Sequence, residues 1–143
     1  MLTIPSSAPI PDGPLHIGDV ASLTGLSLRS IRHYEELGLA QPTSRTVGGF
    51  RVYDREAVER LRLVMSLKLA GLGLEEMRPI IDACRATETG SDSAEAAELL
   101  AQANDRVAEA INQLRERLAT GQELQDRLRR AVEASSTVQA TRG

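Results

Sequence analysis

Three features of this 143-residue sequence predict a mostly α-helical fold, with a small N-terminal domain followed by one long helix. Aromatic residues make up 2% of the chain and Trp is absent, so a core has to come from Leu, Ile, Val, Ala and Met. Between Ile17 and Leu37, two short runs with helical apolar spacing flank the turn Gly25-Leu26-Ser27, the pattern of a helix-turn-helix. From Leu100 to Val132, key positions are spaced alternately four and three apart, which is a heptad seam.

Residues 1–14 contain Pro5, Pro9, Pro11 and Pro14 and are expected to form a disordered arm. In the first helix Val20, Ala21 and Leu23 share a face, and Gly25 supplies a left-handed stop. The small Ala21 suits a close helix crossing. Ser27 is the candidate N-cap of the second helix, where Leu28, Ile31 and Tyr34 lie along one side, Leu37 follows, and Gly38 ends the run. Leu39 to Ser44 reads as extended. Gly48-Gly49 is a turn dipeptide, and Phe50-Arg51-Val52-Tyr53 alternates like a strand, so a two-stranded ribbon, a wing, is expected.

Asp54 caps a third helix with Glu56 in its first turn. Its apolar face is Ala57, Val58, Leu61, Val64, Met65 and Leu69, and Gly71 stops it. Gly73 begins a fourth helix, with Glu75 and Glu76 near its positive end and Pro79 inside, where a slight kink is expected. The domain is thus 15–86, with a polar linker at 87–93, a long helix at 94–134 and a disordered tail at 135–143. The seam of the long helix is Leu100, Asn104, Val107, Ile111, Leu114, Leu118, Gly121, Gln125, Leu128 and Val132, weakest at Asn104, Gly121 and Gln125. At ~1.5 Å per residue such a helix is about 60 Å long. The small domain cannot cover that seam, so a second copy of the chain is the simplest partner.

Composition narrows the function. No window approaches 18 apolar residues, so no membrane span is expected. The first residues lack a basic segment followed by an apolar one, so no secretory leader is expected either. The single Cys84 cannot form an internal disulfide or a multi-cysteine metal site, which suits a reducing cytoplasm. The net charge of −3 counts against a nucleic-acid partner, but its distribution does not. From Ser27 to Tyr53 there are Arg29, Arg32, Arg45 and Arg51 against Glu35 and Glu36; from Asp92 to Gly143 seven arginines face nine acids. Positive charge therefore collects in the helix-turn-helix and wing. Gly71 and Gly73 lack the lysine and strand of a phosphate loop, and no nucleophile signature is present, so no enzyme is expected.

Six motifs in order resemble the MerR family: Ile17-Gly18-Asp19-Val20-Ala21, Ile31-Arg32-His33-Tyr34-Glu35, Leu37-Gly38-Leu39, Gly48-Gly49-Phe50-Arg51-Val52-Tyr53, Val58-Glu59-Arg60-Leu61 and Leu72-Gly73-Leu74-Glu75-Glu76-Met77. The resemblance covers Leu15 to Ala83. It implies a winged helix-turn-helix domain at each end of an antiparallel coiled-coil homodimer. It further implies a transcription regulator that binds double-stranded DNA at a pseudo-palindromic promoter site. Many such regulators distort the DNA so that RNA polymerase can engage, some only repress, and they are cytoplasmic, with the nucleoid, and bacterial.

By position, the resemblance implies that the second helix enters the major groove. Arg29 and Arg32 would reach bases or phosphates, with Ser27, Ser30 and His33 beside them. The Tyr34 hydroxyl would meet a phosphate, Arg45, Arg51 and Tyr53 would grip the backbone from the ribbon, and Lys68 to Met77 would form a second wing starting at Lys68. Leu100, Asn104, Val107, Ile111, Leu114, Leu118 and Leu128 would make the dimer.

No metal or cofactor is implied. The cysteines of metal-sensing and iron–sulfur relatives are missing where the chain has Ser91, Asp92 and Ser93, and again after Ser135. His16, His33 and Cys84 have no ligand spacing, and Cys84 reads as a small buried hydrophobe. Any small-molecule effector stays open. So do two alternatives: an architectural or recombination-accessory DNA-binding protein of the same winged type, and a helical interaction module with a vestigial DNA surface.

Overall fold

The computed structural model describes residues 7–91 and 93–141, apart from the side chain of Gln139. The elements run β1 (Leu15–His16), α1 (Ile17–Thr24), α2 (Leu28–Glu36), β2 (Ser44–Arg45), β3 (Arg51–Tyr53), α3 (Arg55–Leu69), α4 (Leu74–Glu88) and α5 (Ala94–Thr141). The chain divides into two compact units between Asn104 and Asp105. No described helix is long and apolar enough to cross a membrane.

In the first unit the helix-turn-helix forms where the caps direct it. The Asp19 carboxylate accepts from the backbone N–H of His16 at 2.8 Å and fixes the start of α1. Gly25 ends α1 at φ 76, a left-handed conformation that a side chain would strain. Thr24 is buried, and its hydroxyl donates to the Val20 carbonyl (2.7 Å) while accepting from the N–H of Leu26 (3.2 Å), bracing the turn. Ser27 caps α2 by accepting from the N–H of Ser30 at 3.1 Å. Asp54 does the same for α3, accepting from Ala57 at 2.8 Å. At α4 the Glu76 carboxylate accepts from the N–H of Gly73 at 2.8 Å, and the helix continues unbroken through Pro79.

The core of this unit is Val20, Ile31, Tyr53, Val58, Leu61, Val64 and Met77, which joins both helices of the helix-turn-helix to α3, α4 and the sheet. Of the face expected on α3, Leu69 is half-buried, and Leu67 is buried instead.

Four expectations need correction. The ribbon is a three-stranded antiparallel sheet in the order β1-β3-β2, with Leu15 opposite Tyr53 and Arg45 opposite Arg51. β1 has two residues, too few to show alternation, and its partner lies far along the chain. The described part of the N-terminal arm, 7–14, is tied to the domain. Ile10 is buried, Arg55 donates to the Ile10 carbonyl (2.6 Å) and the Asp12 carboxylate (2.9 Å), and Arg62 donates to the Ala8 carbonyl (2.7 Å). Local composition predicts disorder, whereas the contacts that order this segment come from α3. Residues 1–6 lie outside the described residues.

The linker is shorter than expected, because α4 runs to Glu88. The Thr87 hydroxyl donates back to the Cys84 carbonyl at 2.7 Å, so this polar residue serves the helix. After the left-handed Gly90, Ser93 accepts from the N–H of Ala96 and caps α5. The tail expected from Ser135 is helical to Thr141. There the hydroxyls of Ser135, Ser136 and Thr137 each donate to the carbonyl four residues back, at 3.0–3.1 Å. Ser and Thr favour helix ends when their hydroxyls compete with the backbone ladder; here the hydroxyls bond within it. Residues 142–143 of that tail, and Asp92 of the linker, fall outside the described residues.

Candidate nucleic-acid interface

α2 buries Ile31 and Tyr34 and leaves Arg29, Arg32 and His33 exposed, as a period of 3.6 requires. Arg29, Ser30, Arg32, His33, Tyr34, Glu36 and Lys68 line one open cleft of about 550 Å³. Six of the ten expected DNA-contacting residues therefore meet at one place, and Lys68 arrives there from the last turn of α3. The Tyr34 ring is buried, 6.0 Å from the ring of exposed His33. Ser27 is exposed, but its hydroxyl is already engaged with the N–H and, at 2.9 Å, the hydroxyl of Ser30. Of the second wing expected from Lys68 to Met77, Leu72 and Met77 face the core, while Lys68, Gly71 and Gly73 are exposed.

Arg45 and Arg51 face each other across β2 and β3. Both approach Glu35 of α2: Arg51 Nε lies 2.5 Å from Oε2, and Arg45 Nη2 lies 3.9 Å from Oε1. That hydrogen bond is the main cause of the raised pKa of Arg51. Arg45 also donates to the Gly49 carbonyl at 3.3 Å. The wing tip between them is apolar and open, with Val47 and Phe50 exposed.

Tyr53 corrects the expectation that it grips a phosphate backbone. Its side chain is 0% exposed, and its hydroxyl is buried without a well-formed hydrogen bond. Burial, and next the Glu35 charge, push its pKa up. The alternating strand places Arg51 and Tyr53 on one side of β3, but the inner end of that side is covered by the domain.

Three further residues shape the site, and the sequence reading missed them. Glu35 lies four residues after buried Ile31, so helical spacing alone puts it beside the buried face. Arg78 of α4 donates to the Leu37 carbonyl at the end of α2 and lies over Gly38, where an added Cβ would strike its guanidinium. Arg62 of α3 donates to the Leu23 carbonyl at 3.0 Å, near the end of α1. Arg62 and Arg78 hold helix ends from other elements, and no local pattern announces that.

The seven expected dimer residues all lie on α5. Leu100 and Val107 are half-buried, and Asn104, Ile111, Leu114, Leu118 and Leu128 are exposed. Cys84 is half-buried beside a cleft between α3 and α4, and burial, helped by Glu88, pushes its thiol pKa up.

The fold and this basic cleft define a helix-turn-helix protein with a wing. Residues 15–84 match the family described as MerR HTH family regulatory protein. The HTH-type transcriptional regulator YfmP of Bacillus subtilis is 31% identical over 122 residues, covering 80% of this chain and 87% of that protein. The chain belongs to the MerR family. The nodulation protein NolA of Bradyrhizobium sp. (strain NC92) is 41% identical over 66 residues, which are 46% of this chain but only 28% of that protein. A MerR family transcriptional regulator from Listeria monocytogenes has the same fold, with a TM-score of 0.58 and 26% identity over 73% of this chain and 77% of that one.

Proposed function

We propose that this chain is a transcription regulator that binds a pseudo-palindromic promoter site as a homodimer and distorts the DNA there, with RNA polymerase as its further partner. The observation that carries the reading is the convergence of Arg29, Arg32, His33, Tyr34 and Lys68 on one cleft along α2. Two adjacent wing arginines are tied to the same helix. Exposed arginines one helical turn apart suit base edges and phosphates of a major groove, and wing arginines suit the flanking backbone. The cytoplasmic nucleoid is then its place of work.

Two features of α5 support the homodimer. Ile111, Leu114, Leu118, Leu128 and Val132 stand exposed along it, a seam that needs a partner helix. Charge is also segregated along the helix. Residues 94–112 carry Glu95, Glu98, Asp105 and Glu109 against Arg106, whereas residues 113–131 carry five arginines against Glu116, Glu123 and Asp126. An antiparallel pair sets the acidic half of one copy on the basic half of the other; a parallel pair sets like on like.

Enrichment of duplexes from a random pool tests the reading. The expected outcome is an inverted repeat. On that site Arg29→Ala and Arg32→Ala change base preference. Arg51→Ala weakens binding to all sequences and lowers the slope of log affinity against log salt by about 1. A pool with no enriched site overturns the regulator reading, and uniform coating of any duplex favours an architectural role.

A further inference from the structure

We infer that Glu35 is a positioning residue for DNA recognition: it holds the Arg51 guanidinium by Nε and so presents the terminal nitrogens to a phosphate. This inference rests on the DNA-binding reading above. Three apparent liabilities meet here and resolve one another. A carboxylate sits on the helix that should face phosphates. Its side chain is only 11% exposed, and an unpaired charge so placed is costly. Two arginines stand directly opposite on neighbouring strands, where like charges repel.

The geometry removes each cost at once. Glu35 Oε2 takes Arg51 Nε at 2.5 Å, and Oε1 lies 3.9 Å from Arg45 Nη2. The carboxylate is thereby paired, and the arginine pair is bridged by a negative charge. Arg51 engages the carboxylate through Nε, and its side chain is still 30% exposed. A guanidinium carries donors on both edges, so one edge can hold a carboxylate while the other meets a phosphate. Lysine has a single ammonium and cannot span the two in a fixed plane. Because Glu35 belongs to α2 and its partners to β2 and β3, the contact also fixes the wing against the recognition helix.

This role fixes the sign of a substitution. Net charge alone predicts that removing a negative charge from a DNA-facing surface tightens binding. Positioning predicts the reverse. The test is equilibrium binding of the full chain to its enriched duplex over a range of KCl, with Glu35→Gln, Arg51→Lys, and the Arg45→Ala/Arg51→Ala pair with and without Glu35→Gln. Glu35→Gln is expected to weaken binding about five- to tenfold, as loss of one charge-assisted contact does, and to lower the salt slope by about 1. In the background lacking both arginines it should weaken binding no further. Arg51→Lys should lose most of what Arg51→Ala loses.

Binding by Glu35→Gln as tight as wild type, at the wild-type slope, overturns the role. Should Glu35→Gln lose its helical circular dichroism, Arg51→Lys decides: wild-type affinity in that variant overturns the role equally. A wild-type chain that binds no duplex at low salt overturns the DNA-binding reading and the role together.

Discussion

At Tyr53 the ring fills the space under the sheet while its hydroxyl lies buried beside Glu35 without a well-formed hydrogen bond. A buried hydroxyl in that state costs free energy, and removing it relieves the cost. Tyr53→Phe should therefore keep or raise the melting temperature and leave DNA affinity unchanged. A loss of affinity would return Tyr53 to the interface. Cys84 gives a pH prediction. Its thiol pKa is raised, chiefly by burial, so thiolate is scarce near neutrality and alkylation should be slower than for a free cysteine. The folded state favours the protonated thiol, so this group favours folding below its ordinary value of 9.0 and loses that contribution as pH rises beyond it. Fast alkylation of the folded chain at pH 7 would contradict this. Exposed residues on α2 were legible from spacing alone. Glu35, Arg62 and Arg78 were not, because each acts on another element, and a sequence shows charges without showing what they reach.

The elements were legible wherever a cap or a left-handed glycine marks them: Ser27 and Asp54 at helix starts, Gly25 at the end of α1. They were misread where the chain depends on distant contacts, as in β1 and the Ile10 segment, or where hydroxyls bond inside a helix, as from Ser135 onward. On α5 the heptad seam weakens at Gly121 and Gln125. Leu124 and Val138, off that seam, are exposed apolar residues. A step of three on each side of Gly121 gives Leu118, Gly121, Leu124, Leu128, Ala131 and Val138, and such a step shifts the buried stripe around the helix. Leu124→Glu should then weaken the dimer in sedimentation equilibrium, and Gln125→Glu should not. The opposite ranking would restore the uninterrupted heptad.

At the scale of the whole molecule, a net charge of −3 is compatible with a DNA partner because it is unevenly placed. The arginines of α2 and the wing stand together, while much of the acid lies on α5. Long-range attraction is accordingly modest, and orientation of a few well-held arginines matters more than their number. Family membership rests on one contiguous match over residues 15–84 and a relative matched over most of its length. The most direct test of a promoter-binding homodimer is a nuclease footprint of the purified chain on the DNA upstream of its own gene. One short protected inverted repeat with hypersensitive bases at its centre is the expected result. Continuous protection along the fragment would contradict it.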